Sequence, residues 1–258
     1  MSITSPHAHV PYDKIDEHLP FILEHRLNLE IYFGAQVLDT LAPGGLERVS
    51  GMLTHNPSLT FHAPFMDLSP GAVDAKVRAV TMERFHQVLD AAEALKPRAI
   101  VFHSGYEKWK YALRVDLWLE KSLETWAPLL ERARRVGAMI AIENIFEDEP
   151  SNLKLLMQEM NARDFGICFD AGHANLFSSL PLGAWIDALG DHLIELHLHD
   201  NDGSADQHLP LGEGAIDFST LFSLLKGKPC IHTIEAHTPE RLLKSISRLE
   251  EYLGKVAR

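Results

Sequence analysis

Cysteine is scarce in this chain, and long apolar runs are missing. Only Cys168 and Cys230 occur among the 258 residues, each inside a short apolar segment typical of a strand. Two thiols cannot form the disulfide framework of a small secreted protein. No apolar run reaches the roughly 18 residues that a membrane span needs, and no charged and apolar leader opens the sequence. We therefore expect a soluble, cytoplasmic protein that has no membrane partner.

An excess of basic residues is missing as well. Lysine and arginine number 24 against 36 aspartates and glutamates, which gives a formal net charge of −12. Such a charge repels the phosphates of nucleic acids and anionic membrane surfaces. Duplex nucleic acid is therefore a disfavoured partner, unless bound metal ions reverse the local field. The sequence carries no signal of oligomeric state.

No linker rich in proline, glycine or serine interrupts the chain. We therefore treat residues 1–258 as a single domain, close to the usual size of an α/β barrel, about 250 residues. Short β-branched or apolar segments alternate with longer segments of helical period, which predicts parallel strands joined by crossover helices. The predicted strands are 3–10, 28–33, 58–64, 98–104, 138–144, 165–169, 193–199 and 230–236.

Eight such strands predict the α/β class and a single (β/α)8 TIM barrel. Helical periodicity marks 71–95 and 112–136, and Pro128 is expected to kink or divide the second of these helices. The final segment, 239–255, has one apolar face, which covers the barrel or serves a partner helix. A doubly wound sheet, the rival fold, normally has a glycine-rich loop after its first strand. The first strand here ends in SPHAHVPY, which contains no glycine.

Histidines and carboxylates cluster at or just past the predicted strand ends. Such side chains are ligands for divalent metals, and TIM barrels place their chemistry at the carboxyl ends of the strands. A single histidine at a strand end is usually structural, but independent accidents would not favour one end of six strands in succession. The sequence therefore predicts a metalloenzyme, with the candidate ligands His62, His103, Glu143, Asp170, His173, His197, Asp206, His208 and Glu235.

Further polar residues lie beside these candidates. His199, Asp200 and Asp202 are interpreted either as partners that orient the ligands or as polar loop residues. His7 and His9, on the first strand, either line the floor of the pocket or are structural.

Aromatic residues follow the fourth strand. Tyr106, Trp109 and Tyr111 lie in the segment after His103, where they either stack on a substrate or pack over the rim of the barrel.

Taken in order, the motifs resemble those of the xylose isomerase-like barrel superfamily, which includes endonuclease IV and the sugar isomerases and epimerases. The resemblance covers essentially the whole chain and rests on HAPF, VFHSG, IEN, DAGH, HLHD, DQH followed by GEG, and IE. These look like the successive ligand motifs of endonuclease IV, which hold three zinc ions. The resemblance implies the same roles for the nine candidate ligands, with two or three Zn²⁺ or Mn²⁺ ions per chain.

The isomerase branch of the superfamily shares only part of this set. By that resemblance Glu143, Asp170, His197 and Glu235 would hold one divalent ion, and the two glutamates would act as acid and base. His173 would contact the sugar. GEGAIDF is similar to the loop motif of both branches and does not separate them.

The sequence departs from endonuclease IV in the parts that bind DNA. Phe65 stands where the endonuclease has a tyrosine that helps to fill distorted DNA, and no basic loop is present. We also expect only short connections from most strands to the helices that follow. The metal cluster therefore transfers to this chain better than the DNA specificity does.

Charge favours hydrolysis over isomerisation. Three divalent ions would outweigh the four candidate carboxylates, and a positive site attracts phosphate. One ion held by Glu143, Asp170 and Glu235 would leave a negative site, which suits a neutral sugar. We predict a hydrolase of a small phosphodiester or an exposed nucleic-acid lesion, with Glu143, Glu235 and His173 as catalytic residues. The alternatives are a metal-dependent sugar (phosphate) isomerase or epimerase in which Glu143 and Glu235 are the acid/base pair, and a non-catalytic, metal-dependent sugar-binding module.

Overall fold

The structure, a computed structural model, describes residues 5–256. Eight parallel strands close into one barrel in the order of the sequence, and β1 pairs with both β2 and β8. The predicted α/β class and (β/α)8 barrel are therefore confirmed. The strands are β1 His7–Pro11, β2 Asn28–Tyr32, β3 Leu59–His62, β4 Ala99–His103, β5 Met139–Glu143, β6 Phe165–Asp170, β7 Leu193–Leu198 and β8 Ile231–Ile234.

The predicted strand boundaries agree closely with these ranges. From β2 onwards each predicted strand differs from the observed one by at most two residues at either end. The first predicted strand, 3–10, begins outside the described residues. Within the described part, β1 starts at His7 and runs to Pro11.

Helices connect successive strands around the outside of the barrel. None of those within residues 5–256 combines the length and the apolar character that crossing a bilayer would require. Two short 3-10 helices, Tyr12–Lys14 and Gly190–His192, add to the connections. The α-helices are α1 Ile15–Glu24, α2 Ala35–Thr40, α3 Gly45–Met52, α4 Ala75–Leu95, α5 Val115–Val136, α6 Ser151–Met160, α7 Ala171–Phe177, α8 Leu182–Leu189, α9 Phe218–Leu224 and α10 Pro239–Val256.

The two long helices begin later than their periodicity predicts. The side chain of Asp74 caps α4, because its Oδ1 accepts the backbone N–H of Lys76 at 2.7 Å. Ala112 and Leu113, which were predicted to open α5, have φ values of 50° and 62°. This left-handed conformation cannot continue into a right-handed helix, so α5 starts only after them.

Packing overrides a helix breaker in α5. Pro128 lies inside this helix without dividing it, so of the two expected effects, a kink or a division, the division is wrong. Its neighbours Trp126 and Leu129 are fully buried, and their burial outweighs the loss of one backbone hydrogen bond. The final helix, α10, buries Leu242 and Leu249 beside β8 and α9, so its apolar face covers the barrel.

Side chains that point into the barrel alternate along each strand with side chains that face the helices. Small apolar side chains fill part of the interior, and the carboxylate of Glu195, whose strand neighbours are Cys168 and Ile231, lies among them. This carboxylate accepts the hydroxyl hydrogens of Thr60, at 3.2 Å, and Thr233. Two residues further along these two strands, His62 and Glu235 lie at the carboxyl ends. The apolar cluster consists of Ala99, Val101, Ala141, Cys168, Ile194 and Ile231.

Candidate metal centre

The structure brings the nine candidate ligands together in one largely buried cluster at the carboxyl-terminal mouth of the barrel. Several end their strands, at the end of a TIM barrel that usually carries its chemistry. Others lie on α7 or in the segment after β7. From β3 to β8 the contributions are His62, His103, Glu143, Asp170, His173, His197, Asp206, His208 and Glu235.

Glu143 lies at the centre of this cluster and divides its two oxygens between two groups of histidines. Its Oε2 lies 3.0 Å from Nε2 of His62 and 3.1 Å from Nε2 of His103. Its Oε1 lies 3.0 Å from Nδ1 of His173 and 3.5 Å from Nδ1 of His197. A carboxylate in this position is able to bridge two cations.

A second group surrounds His197. Its Nδ1 lies 3.3 Å from Oε1 of Glu235, 3.5 Å from Oε1 of Glu143 and 3.8 Å from Oδ2 of Asp170. Three carboxylates therefore meet one imidazole nitrogen in the buried part of the barrel. Such a concentration of negative charge away from water needs cations or protons to balance it.

A third group surrounds Asp206, in the segment after β7. Its Oδ2 lies 3.2 Å from Nε2 of His208 and 3.7 Å from Nε2 of His173. The Asp206 side chain is 39% exposed, whereas those of Asp170 and Glu143 are buried. This third group is therefore the part of the cluster most open to solvent.

Two histidines of the cluster are held in the tautomer that a metal ligand needs. Nδ1 of His62 lies 2.8 Å from the carbonyl oxygen of Ala63, and Nδ1 of His173 lies 3.1 Å from that of Asn144. Because a carbonyl only accepts, each Nδ1 donates its hydrogen, and in a neutral ring Nε2 keeps the lone pair. The Nε2 lone pair of His62 then faces Glu143, and that of His173 faces Asp206. An imidazole lone pair and a carboxylate oxygen repel each other, and a cation bound between them removes this repulsion.

Unpartnered nitrogens and donor spacing fit divalent cations. Within residues 5–256, Nδ1 of His197, His199 and His208 is buried without a hydrogen-bond partner. The nitrogen-to-oxygen distances of the three groups match the separation of two ligands on a tetrahedral zinc ion, about 3.3 Å for bonds of about 2.0 to 2.1 Å. Imidazoles mixed with carboxylates suit zinc and manganese. The residues present thus fit the metals that the sequence predicts.

The charges within the cluster shift the pKa values of its carboxylates and histidines. Burial alone would raise the pKa of Glu143, but His103 and His197 hold it well below its ordinary value. Burial alone would lower the pKa of His173, but Asp170 and the other carboxylates around it raise it well above its ordinary value. Protons on the histidines thus balance the carboxylates, and a bound cation would displace them.

The sequence reasoning did not identify Glu30, which lies beneath the cluster. This fully buried carboxylate accepts a hydrogen bond from Nε2 of His197 at 3.1 Å and one from Nδ1 of His9 at 3.0 Å. Burial opposes its ionisation, yet His197 and His9 keep its pKa far below the ordinary value. Glu30 therefore fixes the tautomer of His197 and leaves Nδ1 free. A signal was present, since a lone acid interrupts the apolar run NLEIYF at an inward position.

His199 and Asp200 contact different parts of the site. Nε2 of His199 donates to Oδ2 of Asp170 at 3.2 Å, and its ring stacks on that of His208 with centroids 4.0 Å apart. These contacts favour the interpretation of His199 as a residue that orients ligands. The carboxylate of Asp200 instead accepts backbone N–H groups of Gly212 and Gly214, each at 2.9 Å. It holds the GEG loop in place.

The remaining polar candidates lie at the edges. Asp202 is exposed and accepts the backbone N–H of Ser204 at 2.9 Å, as a polar loop residue does. Nδ1 of His9 lies 3.4 Å from Oε1 of Glu235, so His9 lines the pocket floor. His7 lies two residues earlier on β1, and its Nε2 is 3.1 Å from the hydroxyl of Ser58.

The aromatic residues after β4 divide into two kinds. Tyr106 and Tyr111 are buried, their rings stack 5.7 Å apart, and the Tyr111 hydroxyl lies 3.0 Å from that of Ser69. They pack over the barrel rim, so a stacking role for them towards a substrate is not supported. Trp109 is 75% exposed and remains available to a ligand.

Most connections from strands to helices are short, as expected, but three are long. The segments 63–74, 104–114 and 199–217 separate strands from the helices that follow them. Each is held by its own contacts rather than by a helix, which is why periodicity did not reveal it. Phe65, in the first of these segments, stacks on His103 with ring centroids 4.3 Å apart. These three segments therefore surround the mouth of the barrel with more residues than the sequence indicated.

Comparison with known proteins agrees with this geometry. Residues 29–252 match the model of the xylose isomerase-like TIM barrel. The chain belongs to this family. The family predicted from the motifs is thus confirmed.

An uncharacterized protein of Methanocaldococcus jannaschii is 30% identical over 204 residues, which are 76% of this chain and 70% of that protein. A probable endonuclease 4 of Mycobacterium leprae is 24% identical over 184 residues, 66% of this chain and 70% of that protein.

Solved structures of xylose isomerase-like barrels superpose over almost the entire chain. A D-tagatose 3-epimerase-like protein has a TM-score of 0.83 and 26% identity, with 97% of this chain and 98% of that chain covered. A Thermus thermophilus protein soaked with ZnCl2 has a TM-score of 0.81 and 27% identity, with 98% and 99% covered. Similarity therefore extends both to an endonuclease and to an epimerase-like protein, and the chemistry must be argued from the site.

Proposed function

We propose that this chain is a divalent-metal-dependent hydrolase that acts on a small phosphodiester or on an exposed nucleic-acid lesion. The observation that carries the proposal is the position of Glu143. Its Oε2 faces Nε2 of His62 and His103, while its Oε1 faces Nδ1 of His197, the nitrogen that Glu30 leaves free. A one-metal isomerase site has no use for a carboxylate with histidine nitrogens at both of its oxygens.

The donor groups define which residues would hold the ions. His62, His103 and Glu143 form the first group. Glu143 with Asp170, His197 and Glu235 forms the second, and His173, Asp206 and His208 form the third. We propose two or three zinc or manganese ions per chain on this basis. The zinc-soaked structural relative supports zinc as the first candidate.

Charge supports a phosphate substrate. Three divalent ions would outweigh the four carboxylates of the cluster, whereas a single ion would not. Bound ions would stabilise the charge that develops on phosphorus oxygens and activate a water molecule. The exposed side of the cluster, near Asp206, is the side from which a phosphate would enter.

The chain's own residues orient this chemistry. The carbonyls of Ala63 and Asn144 hold the rings of His62 and His173, and Glu30 holds that of His197. These contacts keep the ligand nitrogens directed at the carboxylates before substrate binds. Glu143 and Glu235 would be the acidic groups next to the reacting phosphate. His173, which lies between Glu143 and Asp206, would be the third catalytic residue.

The deciding experiment combines metal analysis with an activity assay. Protein purified without chelators should contain more than one zinc or manganese ion per chain and should hydrolyse bis(p-nitrophenyl) phosphate. His62→Gln should lose one ion and most of the activity. His25→Gln, an exposed histidine outside the cluster, is the matched control and should retain both. One ion per chain, or full activity in His62→Gln, would overturn the hydrolase proposal.

A second function has one observation in its favour. Nδ1 of His197 lies between the carboxylates of Glu235 and Glu143, at 3.3 and 3.5 Å. Two glutamates around one ligand suit a sugar isomerase or epimerase that moves a proton beside a carbonyl. Such an enzyme would incorporate solvent deuterium into a ketose. It would also tolerate His62→Gln better than Glu235→Gln, which is the opposite of what the hydrolase predicts for His62.

A further inference from the structure

A cavity of about 580 Å³ opens at the other end of the barrel, among the starts of the strands. Its volume falls within the range of small-molecule sites, about 300–1,000 Å³. The apolar side chains of Met139, Leu193 and Ile231 form part of its lining. Because the strands run their whole length between this cavity and the metal centre, the two sites do not share residues.

The polar lining of this cavity carries charge of one sign. Arg98 precedes β4, Arg163 precedes β6 and Lys228 precedes β8, so the cations come from alternate strands around the barrel. No aspartate or glutamate is among the lining residues that the structure describes. This is notable in a chain whose net charge is −12. Concentrated positive charge of this kind attracts anions.

The cations of the cavity are largely uncompensated. Within the described residues, neither Arg98 nor Arg163 forms an ion pair or a side-chain hydrogen bond, although most other arginines of the chain do. Lys228 pairs with Asp191, whose side chain is 90% exposed. Two guanidinium groups therefore keep their full hydrogen-bonding capacity, which is suited to phosphate oxygens.

A buried polar group lines the same cavity. His7 is only 4% exposed, its Nε2 contacts Ser58, and its Nδ1 has no hydrogen-bond partner within residues 5–256. His232 lines the cavity from β8. An unpartnered buried nitrogen is costly, and a ligand that hydrogen-bonds to it would remove that cost.

We propose that this cavity is a binding site for a small phosphomonoester, separate from the metal centre. Arg98, Arg163 and Lys228 would hold the phosphate, and the apolar residues would contact the carbon part of the ligand. His7 would supply a hydrogen bond from the wall. The proposal does not depend on the reaction at the metal centre.

Calorimetric titration with inorganic phosphate tests the proposal on the metal-loaded protein. The double variant Arg98→Met/Arg163→Met should weaken phosphate binding at the cavity at least tenfold and leave binding at the metal centre unchanged. Arg135→Met, which replaces an exposed arginine away from the cavity, should bind as the wild type does. Both replaced side chains are exposed, and a thermal unfolding curve checks that the double variant is folded.

The metal centre is the other place where phosphate could bind, and one variant separates the two. Glu143→Gln alters the metal centre and leaves the cavity unchanged, so it should retain the binding that the arginine variant loses. Equal phosphate affinity in wild type and Arg98→Met/Arg163→Met, or loss of all binding in Glu143→Gln, would overturn the inference.

Discussion

Oε2 of Glu30 lies 3.1 Å from Nε2 of His197, and both side chains are fully buried. The carboxylate accepts the only ring hydrogen of a neutral His197, so the opposite nitrogen faces the carboxylates of the metal centre as a lone pair. A residue on the second strand thereby sets the ligand character of a residue on the seventh.

Glu30→Gln should weaken metal binding. The amide lacks the charge that favours hydrogen bonding from His197, so the ring would no longer be held in one tautomer. We expect the affinity for zinc to fall by roughly 10- to 100-fold. Competition with a chromogenic chelator measures this affinity. An unchanged zinc affinity would show that the ring is held by packing alone.

Two glycines provide a matched pair for stability. A Cβ at Gly172 would lie 2.0 Å from the ring of His199, whereas one at Gly254 would meet nothing within 4 Å. Gly172→Ala should lower the free energy of unfolding by about 1–3 kcal/mol, because it forces the ring out of its place. Gly254→Ala, inside α10, should raise it by about 0.5–1 kcal/mol. Urea unfolding compares both variants, and a Gly172→Ala midpoint at or above that of the wild type would contradict the packing argument.

Trp109 and Tyr111 should affect different properties. Trp109→Ala removes an exposed ring, so stability should change by less than about 0.5 kcal/mol. If a phosphodiester is the substrate, the KM of Trp109→Ala for an aromatic phosphodiester should rise by roughly 2- to 10-fold, because one stacking contact is lost. Tyr111→Phe removes the buried contact with Ser69 and should cost about 0.5–1.5 kcal/mol of stability. The KM of Tyr111→Phe should stay at the wild-type value. A raised KM in Tyr111→Phe together with a loss of stability in Trp109→Ala would contradict both assignments.

Stability should fall on mild acidification, in part through His232. Burial lowers the pKa of this histidine to about 4, below the value of about 6.5 in an unfolded chain. Between these values the unfolded chain binds a proton that the folded chain does not. The free energy of unfolding therefore rises with pH in this window, by up to about 1.4 kcal/mol per pH unit. As the pH falls towards 4, the contribution of His232 to stability is lost.

His232→Gln tests this pH dependence. Urea midpoints measured from pH 4.5 to 6.5 should change less with pH in this variant than in the wild type. His25→Gln, whose ring is exposed, should keep the wild-type slope. Identical slopes in all three proteins would exclude the contribution of His232.

The strands and the candidate ligands were accessible to sequence reasoning for a shared physical reason. The apolar strand that ends at Glu143 carries its charged residue where the barrel opens, so strand ends and ligands were found together. The two-residue period of a strand also puts Thr60 and His62 on one side of β3. Contacts across the barrel were not accessible, because no spacing specifies which oxygen of Glu143 faces which histidine. Glu30 was missed since its partner, His197, lies on another strand.

The position of the ligands at the strand ends separates the metal centre from the framework of the barrel. Small apolar side chains such as Ala141 and Cys168, and the threonines that bind Glu195, lie two residues before the ligands on their strands. A change of ligand at a strand end therefore leaves these interior contacts in place. Such a chain can exchange one catalytic repertoire for another by a few replacements at its rim, while the folded framework is inherited intact.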